Sequence, residues 1–214
     1  MLQVSLGEDR QGRLIYPAHG YGHEPAAVPL PALKINGHVS APLVFSGIFS
    51  PEECGRILEI GRNRTQRAGR MMYARPDVRK STIAWIGLQS ETGWLYDKVW
   101  QTMVAVNRWY EFDILGMVDE LQLASYAEGD RFDWHLDTGG GQTSTRKISM
   151  SVQLSDEAEY EGGEVEFCAA PGLEPRRRLG TVIVFPSFLA HRVTPVTRGV
   201  RRSLVAWAHG PAFK

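Results

Sequence analysis

Two textures of hydrophobic patterning divide the chain near residue 112. Before it, apolar positions recur at helical spacing. Ser50-Pro51-Glu52-Glu53 reads as a helix start, with Ser50 the N-cap, Pro51 the first helical residue and Glu53 the third position of a capping box. Ile57, Leu58 and Ile60 supply that helix's apolar face, and it should stop near Gly61. A second helix is predicted over 93–109, where Trp94, Leu95, Trp100, Met103, Val104 and Asn107 recur three and four residues apart. Between the two, Ile83-Ala84-Trp85-Ile86 reads as a strand.

Beyond residue 112 short runs follow one another, separated by Gly, Asp or Pro: 121–127, 131–136, 147–154, 164–168, 181–185, 192–196 and 201–208. Such strands with turn signals between them indicate an antiparallel sandwich or barrel. In the run from Ile148 to Leu154 apolar and polar residues alternate, so the two sets face opposite ways. The expected fold is mainly β, a jelly-roll core with supporting N-terminal helices. Pro17, Pro25, Pro29 and Pro31, with Gly20 and Gly22, exclude long helices from the first forty residues. The reading is a single domain over 1–214, with 1–45 an extended segment, 46–112 supporting helices and 113–210 the β core. No internal repeat or low-complexity tract is visible.

Composition narrows the class without naming the chemistry. A chain of 214 residues, 43% hydrophobic and 22% charged, is long enough and apolar enough to bury a sizeable core. With 24 Lys+Arg against 24 Asp+Glu the formal net charge is zero, which speaks against a non-specific nucleic-acid binder. Cys54 and Cys168 cannot build a disulfide framework or a four-thiolate zinc site, so a reducing cytoplasm is the expected compartment. Residues 1–10 carry Glu8, Asp9 and Arg10 without an apolar stretch, so no secretory signal is expected. The best apolar run, 179–190, is broken by Gly180 and Pro186, so no membrane span is expected either. The charge is unevenly placed. Residues 62–80 hold six arginines and Lys80 against Asp77 alone, and Arg176-Arg177-Arg178 reads as a solvated hairpin edge.

Candidate chemistry centres on His135-Leu136-Asp137, a His-x-Asp triplet. On a strand, residues i and i+2 project to one face, so imidazole and carboxylate can share one ion. Thr138-Gly139-Gly140-Gly141 then lets the chain turn away, and His191 opens a later strand after Phe185-Pro186-Ser187. Arg201 and Ser203 alternate onto one face of the last strand, a natural carboxylate fork. Two histidines and one carboxylate leave positions open on a ferrous ion. A nearby Arg then suits a co-substrate that binds both metal and cation, as a 2-oxo dicarboxylate would. Plainer readings stand beside these: a turn Asp next to a surface His, Arg201 paired with Glu164, and Tyr126 as an aromatic core residue. His19, His23, His38 and His209 lack ligand spacing and read as surface or loop groups.

Four blocks in order resemble the iron(II)/2-oxoglutarate-dependent oxygenases, in their prolyl 4-hydroxylase-like branch. They are Tyr126-Ala127-Glu128-Gly129, His135-Leu136-Asp137, Gly162-Gly163-Glu164, and the closing run from Phe185 through His191, Val193, Pro195, Gly199, Arg201 and Ser203 to Trp207. The resemblance covers roughly 113–210 well and the first forty residues hardly at all. It implies a double-stranded β-helix, the cupin-like form of the jelly roll. It also implies His135, Asp137 and His191 as iron ligands and Arg201 as the salt-bridge partner of the distal carboxylate of 2-oxoglutarate. Tyr126 would donate to that carboxylate, with Ser203 a further donor. Gln153 stands where some relatives place a Tyr, and would touch co-substrate or substrate.

The implied activity is hydroxylation of an unactivated C–H in an amino acid, a prolyl-type peptide or protein residue, or a small natural product. O2 would be consumed and succinate and CO2 released, with ascorbate as reductant. Asp137 is the carboxylate that halogenating relatives lack, which favours hydroxylation over chlorination. Alternatives are desaturation, epoxidation or cyclisation with the same cofactors, or a non-catalytic metal-binding jelly roll, against which Arg201 and Tyr126 argue. In the resembling family the segment after the first helix covers the active-site mouth. Residues 62–80 are therefore either a solvated loop or a cationic lid favouring an acidic substrate.

Overall fold

The computed structural model describes residues 7–8, 14–15, 36–69, 78–170 and 177–213. Its contacts divide the chain into Met1–Ile35 and Asn36–Lys214. In the first unit β1 (Gly7–Glu8) pairs antiparallel with β2 (Leu14–Ile15).

The second unit runs β3 (Leu43–Phe45), α1 (Pro51–Arg62), β4 (Arg67–Ala68), β5 (Arg79–Lys80), β6 (Thr82–Ile86), α2 (Gly93–Tyr110), β7 (Leu121–Tyr126) and β8 (Arg131–His135). A short 3-10 turn (Gly141–Thr145) precedes β9 (Arg146–Gln153), β10 (Tyr160–Gly162), β11 (Val165–Phe167), β12 (Val182–Pro186), β13 (His191–Val193), β14 (Val196–Gly199) and β15 (Arg201–His209). One sheet of seven strands has the order β3-β12-β9-β15-β7-β6-β4, and a smaller one the order β11-β13-β8-β5. A β10-β14 ribbon completes an antiparallel jelly roll.

α1 begins as its sequence dictates. Ser50 Oγ accepts from the Glu53 backbone N–H at 3.2 Å, and the Glu53 carboxylate accepts from the Ser50 N–H at 2.8 Å. It buries Cys54, Ile57 and Gly61, and Gly61 lets the helix lie directly against the Leu123 side chain of β7. α2 buries Leu95, Tyr96, Val99, Met103, Val106 and Tyr110. Two of its expected inward residues lie elsewhere. Val104, one step or 100° round from Met103, is 47% exposed, and Asn107 closes the helix by bonding both backbone groups of Phe112. Together the helices and the large sheet enclose the main core, which includes Met103, Ile148, Met150, Val152, Val184 and Leu204. Among the described residues no helix is long and apolar enough to cross a membrane.

Two expectations change. The run 192–196 is two strands: Pro195, which has no N–H to give a ladder, ends β13, and β14 pairs with β10 instead. In β9 the apolar and polar sets face opposite ways as expected, and both faces are covered: Ile148, Met150 and Val152 join the main core, and Ser149 and Gln153 are buried as well. Arg177 is not a solvated edge residue: it lies 4.4 Å over the Tyr160 ring and donates to the Tyr160 carbonyl. Arg176 lies outside the described residues, as do Arg70, Arg75 and Asp77 of the basic stretch. The described part of that stretch is largely tied down, with Arg64 on Glu91 at 2.7 Å, Lys80 on Asp130 at 3.2 Å, and short strands β4 and β5.

Candidate metal centre

β8 ends on His135 and β13 begins on His191, and the two residues are register partners. Their rings lie 4.1 Å apart, centroid to centroid. Asp137 follows two residues after His135, its backbone N–H bonded to the Ser187 carbonyl at 2.9 Å. One carboxylate oxygen is 3.7 Å from His135 Nε2, and the other is 3.7 Å from His191 Nε2. All three donor atoms fall within 4.8 Å of one another. Their side chains are only 4%, 9% and 8% exposed, in the order His135, Asp137, His191.

Each imidazole is oriented from behind. His135 Nδ1 sits 2.7 Å from the Asp133 carbonyl and His191 Nδ1 2.9 Å from the Leu189 carbonyl. A carbonyl can only accept, so both ring protons are placed on Nδ1 and both Nε2 lone pairs face Asp137. Phe132 stacks on His135 at 3.5 Å, and Phe185 meets His191 edge-on at 4.6 Å. Burial pushes the His135 imidazole down to about 4, helped by the charge of His191, so it is neutral at neutral pH. Burial acts to raise Asp137, but His191, His135 and the Ser149 hydroxyl outweigh it and hold the carboxyl below its ordinary value. Two imidazoles and one carboxylate, convergent and backed by second hydrogen bonds, fit a divalent ion such as Fe(II). They crowd one side of it and leave the rest open.

A cavity of about 380 Å³ opens onto these three residues, with Arg79, Trp85, Phe132, Arg201, Ser203 and Trp207 among its walls. Arg201 is 4% exposed, and no carboxylate among the described residues pairs with it. Glu164, the plainer partner, instead accepts from Thr194 Oγ1 at 2.7 Å. A buried guanidinium without an acid is costly unless an anion arrives. Tyr126, its register partner on β7, lies beneath it at 5.8 Å, and Ser203 follows two residues along β15. The Gly162-Gly163 turn has a steric reason, since a Cβ on Gly163 (φ 67°) would press on the Arg201 side chain at 2.9 Å.

Thus His135, Asp137, His191, Tyr126, Arg201 and Ser203 are brought to one cavity. Gln153 is not among its walls; its amide nitrogen donates to the Ser155 carbonyl at 3.1 Å and to Tyr160 Oη at 3.0 Å, which makes it a bracket for Tyr160. His209 is no surface group: it is 4% exposed, bonded to Thr145 Oγ1 at 2.9 Å and Asp119 at 3.2 Å. Sequence reasoning did not single out Arg146. Its guanidinium pairs with Asp119 at 2.7 Å, donates to the Asp137 carbonyl at 3.2 Å and lies 3.8 Å over Trp207. The first position of a strand eleven residues after His135 offered no signal for that role.

Residues 121–209 match the profile of the 2OG-Fe(II) oxygenase superfamily. A PKHD-type hydroxylase of Synechococcus sp. (strain CC9902) is 34% identical over 97 residues, 45% of this chain and 44% of that protein. One from Pseudomonas fluorescens is 27% identical over 174 residues, covering 75% of each. The chain thus spans less than half the length of the Synechococcus relative it matches. Among solved structures, a Pseudomonas putida prolyl-4-hydroxylase superposes with a TM-score of 0.62 at 23% identity, over 80% of this chain and 93% of that one. A prolyl hydroxylase from Trichoplax adhaerens, in complex with a hypoxia inducible factor peptide fragment, gives 0.65 at 16% identity, over 81% and 85%. These two share the fold.

Proposed function

We propose that the chain is a member of the 2OG-Fe(II) oxygenase superfamily, in its prolyl 4-hydroxylase-like branch, and an Fe(II)- and 2-oxoglutarate-dependent dioxygenase that hydroxylates an unactivated C–H. The observation that carries this is one cavity holding both a convergent His-Asp-His set and a buried arginine with no acid partner among the described residues. His135, Asp137 and His191 would hold the ferrous ion, and Arg201 with Tyr126 and Ser203 would hold the distal carboxylate of the co-substrate. With metal, 2-oxoglutarate and O2 bound, the chemistry supplied is oxidative decarboxylation to succinate and CO2 coupled to oxidation of the substrate.

The chain's own groups do the positioning. The Asp133 and Leu189 carbonyls fix the imidazole tautomers. Phe132 and Phe185 keep the rings from turning and line the site with apolar surface, which limits water near the metal. Arg201 fixes one end of a five-carbon dicarboxylate so that its other end points toward the three ligands.

Substrates in reach are an amino acid, a prolyl-type peptide residue or a small natural product; the peptide bound to the Trichoplax enzyme favours a peptide. Ascorbate as reductant and a cytoplasmic location belong to the same reading. The test is succinate release from 2-oxoglutarate with ferrous iron and ascorbate, screened over amino acids, prolyl peptides and small metabolites. Substrate-stimulated succinate is expected from the wild type and none from His191→Ala. No succinate above the level of the His191→Ala protein, with any substrate, would overturn it.

A further inference from the structure

Among the described residues three arginines line the cavity, and two of them have a counter-charge in the reading above. Arg146 is neutralised by Asp119. In the proposed reaction a divalent ion, Asp137, a 2-oxo dicarboxylate and Arg201 cancel one another. Arg79 is left over. Among the described residues no carboxylate pairs with it, whereas its neighbour Lys80 takes Asp130.

Arg79 is nonetheless built into place. Its Nε donates to Ser81 Oγ at 2.8 Å and one Nη to Gln122 Oε1 at 2.8 Å, and both supporting residues are buried and neutral. The guanidinium lies 4.6 Å over the Phe132 ring, whose stack on His135 sets it beside the metal ligands. Gly69 leaves room for it, since a Cβ there would come within 2.8 Å of Arg79 Nε. Two neutral acceptors orient the group without discharging it, and Nη1 donates to no described residue. A solvated surface arginine needs none of this.

Resting on the oxygenase reading, we propose that Arg79 is the substrate-recognition cation: the substrate carries a carboxylate that docks on Nη1, beside the metal and away from the Arg201 fork. The carboxylate belongs to a free α-carboxyl end or to an acidic side chain, chemistry that a planar guanidinium takes in the same way.

The test is equilibrium binding, under nitrogen, to protein loaded with ferrous iron and 2-oxoglutarate, read from the fluorescence of Trp85 and Trp207 in the cavity wall. The probes are N-acetyl-proline, N-acetyl-leucine and N-acetyl-phenylalanine, each beside its amide, and N-acetyl-glutamate amide beside N-acetyl-glutamine amide. The first group reports an α-carboxyl and the last pair a side-chain carboxyl. In at least one pair the carboxylate should bind about tenfold or more tightly than its amide. Arg79→Gln should abolish that preference, and Arg79→Lys, which keeps charge but not the fork, should retain part of it. Equal binding within every pair, no binding of any probe, or a preference that survives Arg79→Gln overturns the proposal. 2-Oxoglutarate binding is measured alongside in each protein. Its absence from the wild type sinks the oxygenase reading itself, whereas normal co-substrate binding without a carboxylate preference sinks only the role of Arg79.

Discussion

The two larger sheets divide the labour of the molecule. In the seven-stranded sheet the central strands β12, β9, β15 and β7 are buried on both faces, and Ile148, Met150, Val152, Val182, Val184 and Leu204 are fully enclosed beneath α1 and α2. The four-stranded sheet has strands of two to five residues, with Asp133 and Trp134 facing outward. Yet the small sheet carries both histidines proposed as ligands, while the large one contributes Arg201, Ser203 and Tyr126 to the same cavity. Short strands bury too little to fix themselves, so their register follows from the framework beside them. Stability is concentrated in one layer, the proposed metal ligation in the other, and the cavity is where the two meet.

Breaking the large sheet should cost the most stability while sparing the ligand set. Leu204→Ala deletes a fully buried side chain on β15, and thermal or urea unfolding should show a loss of about 2–5 kcal/mol. Metal affinity of the protein that stays folded should be unchanged. Arg201→Ala removes the charged member of the large-sheet trio proposed to hold the co-substrate. Calorimetric 2-oxoglutarate affinity should fall roughly a hundredfold, with metal binding intact. Each result sharpens the division; a metal defect in either variant would blur it.

The two thiols sample the two layers without mutation. Cys54, on α1, is buried and pushed up to about 11 by burial, with the Glu53 charge adding to it, whereas Cys168, just after β11, is exposed. At pH 8 iodoacetamide should modify Cys168 at least about a hundred times faster, because the thiolate is the nucleophile. Mass-resolved peptides give both rates, and equal rates would mean the helical layer opens as readily as the sheet edge. The smallest effect belongs to the cap: Ser50→Ala should lower stability by about 1 kcal/mol without changing either affinity.

Much of this was legible because local chemistry and tertiary structure agree. Ser50-Pro51-x-Glu53 specifies a helix start by itself, and the His135-x-Asp137 spacing carries its geometry within three residues. His191 and Arg201 follow as candidates from the order of the blocks, and both line the one cavity. What stayed hidden depends on register between distant strands. Arg79 meets Phe132 only because β5 pairs with β8, and Gln153 turns from the cavity because Tyr160 is within its reach. The burial of His209 depends likewise on Asp119, ninety residues away. No periodicity within a single strand encodes such meetings.

The most direct test of the small sheet as metal holder is anaerobic titration of Fe(II) into wild type and Asp137→Ala, with a melting curve of each. The wild type should bind one ion per chain. The variant should bind more than about a hundredfold more weakly while melting within a few degrees of it. Fe(II) binding by the Asp137→Ala protein as tight as that of wild type would contradict the assignment.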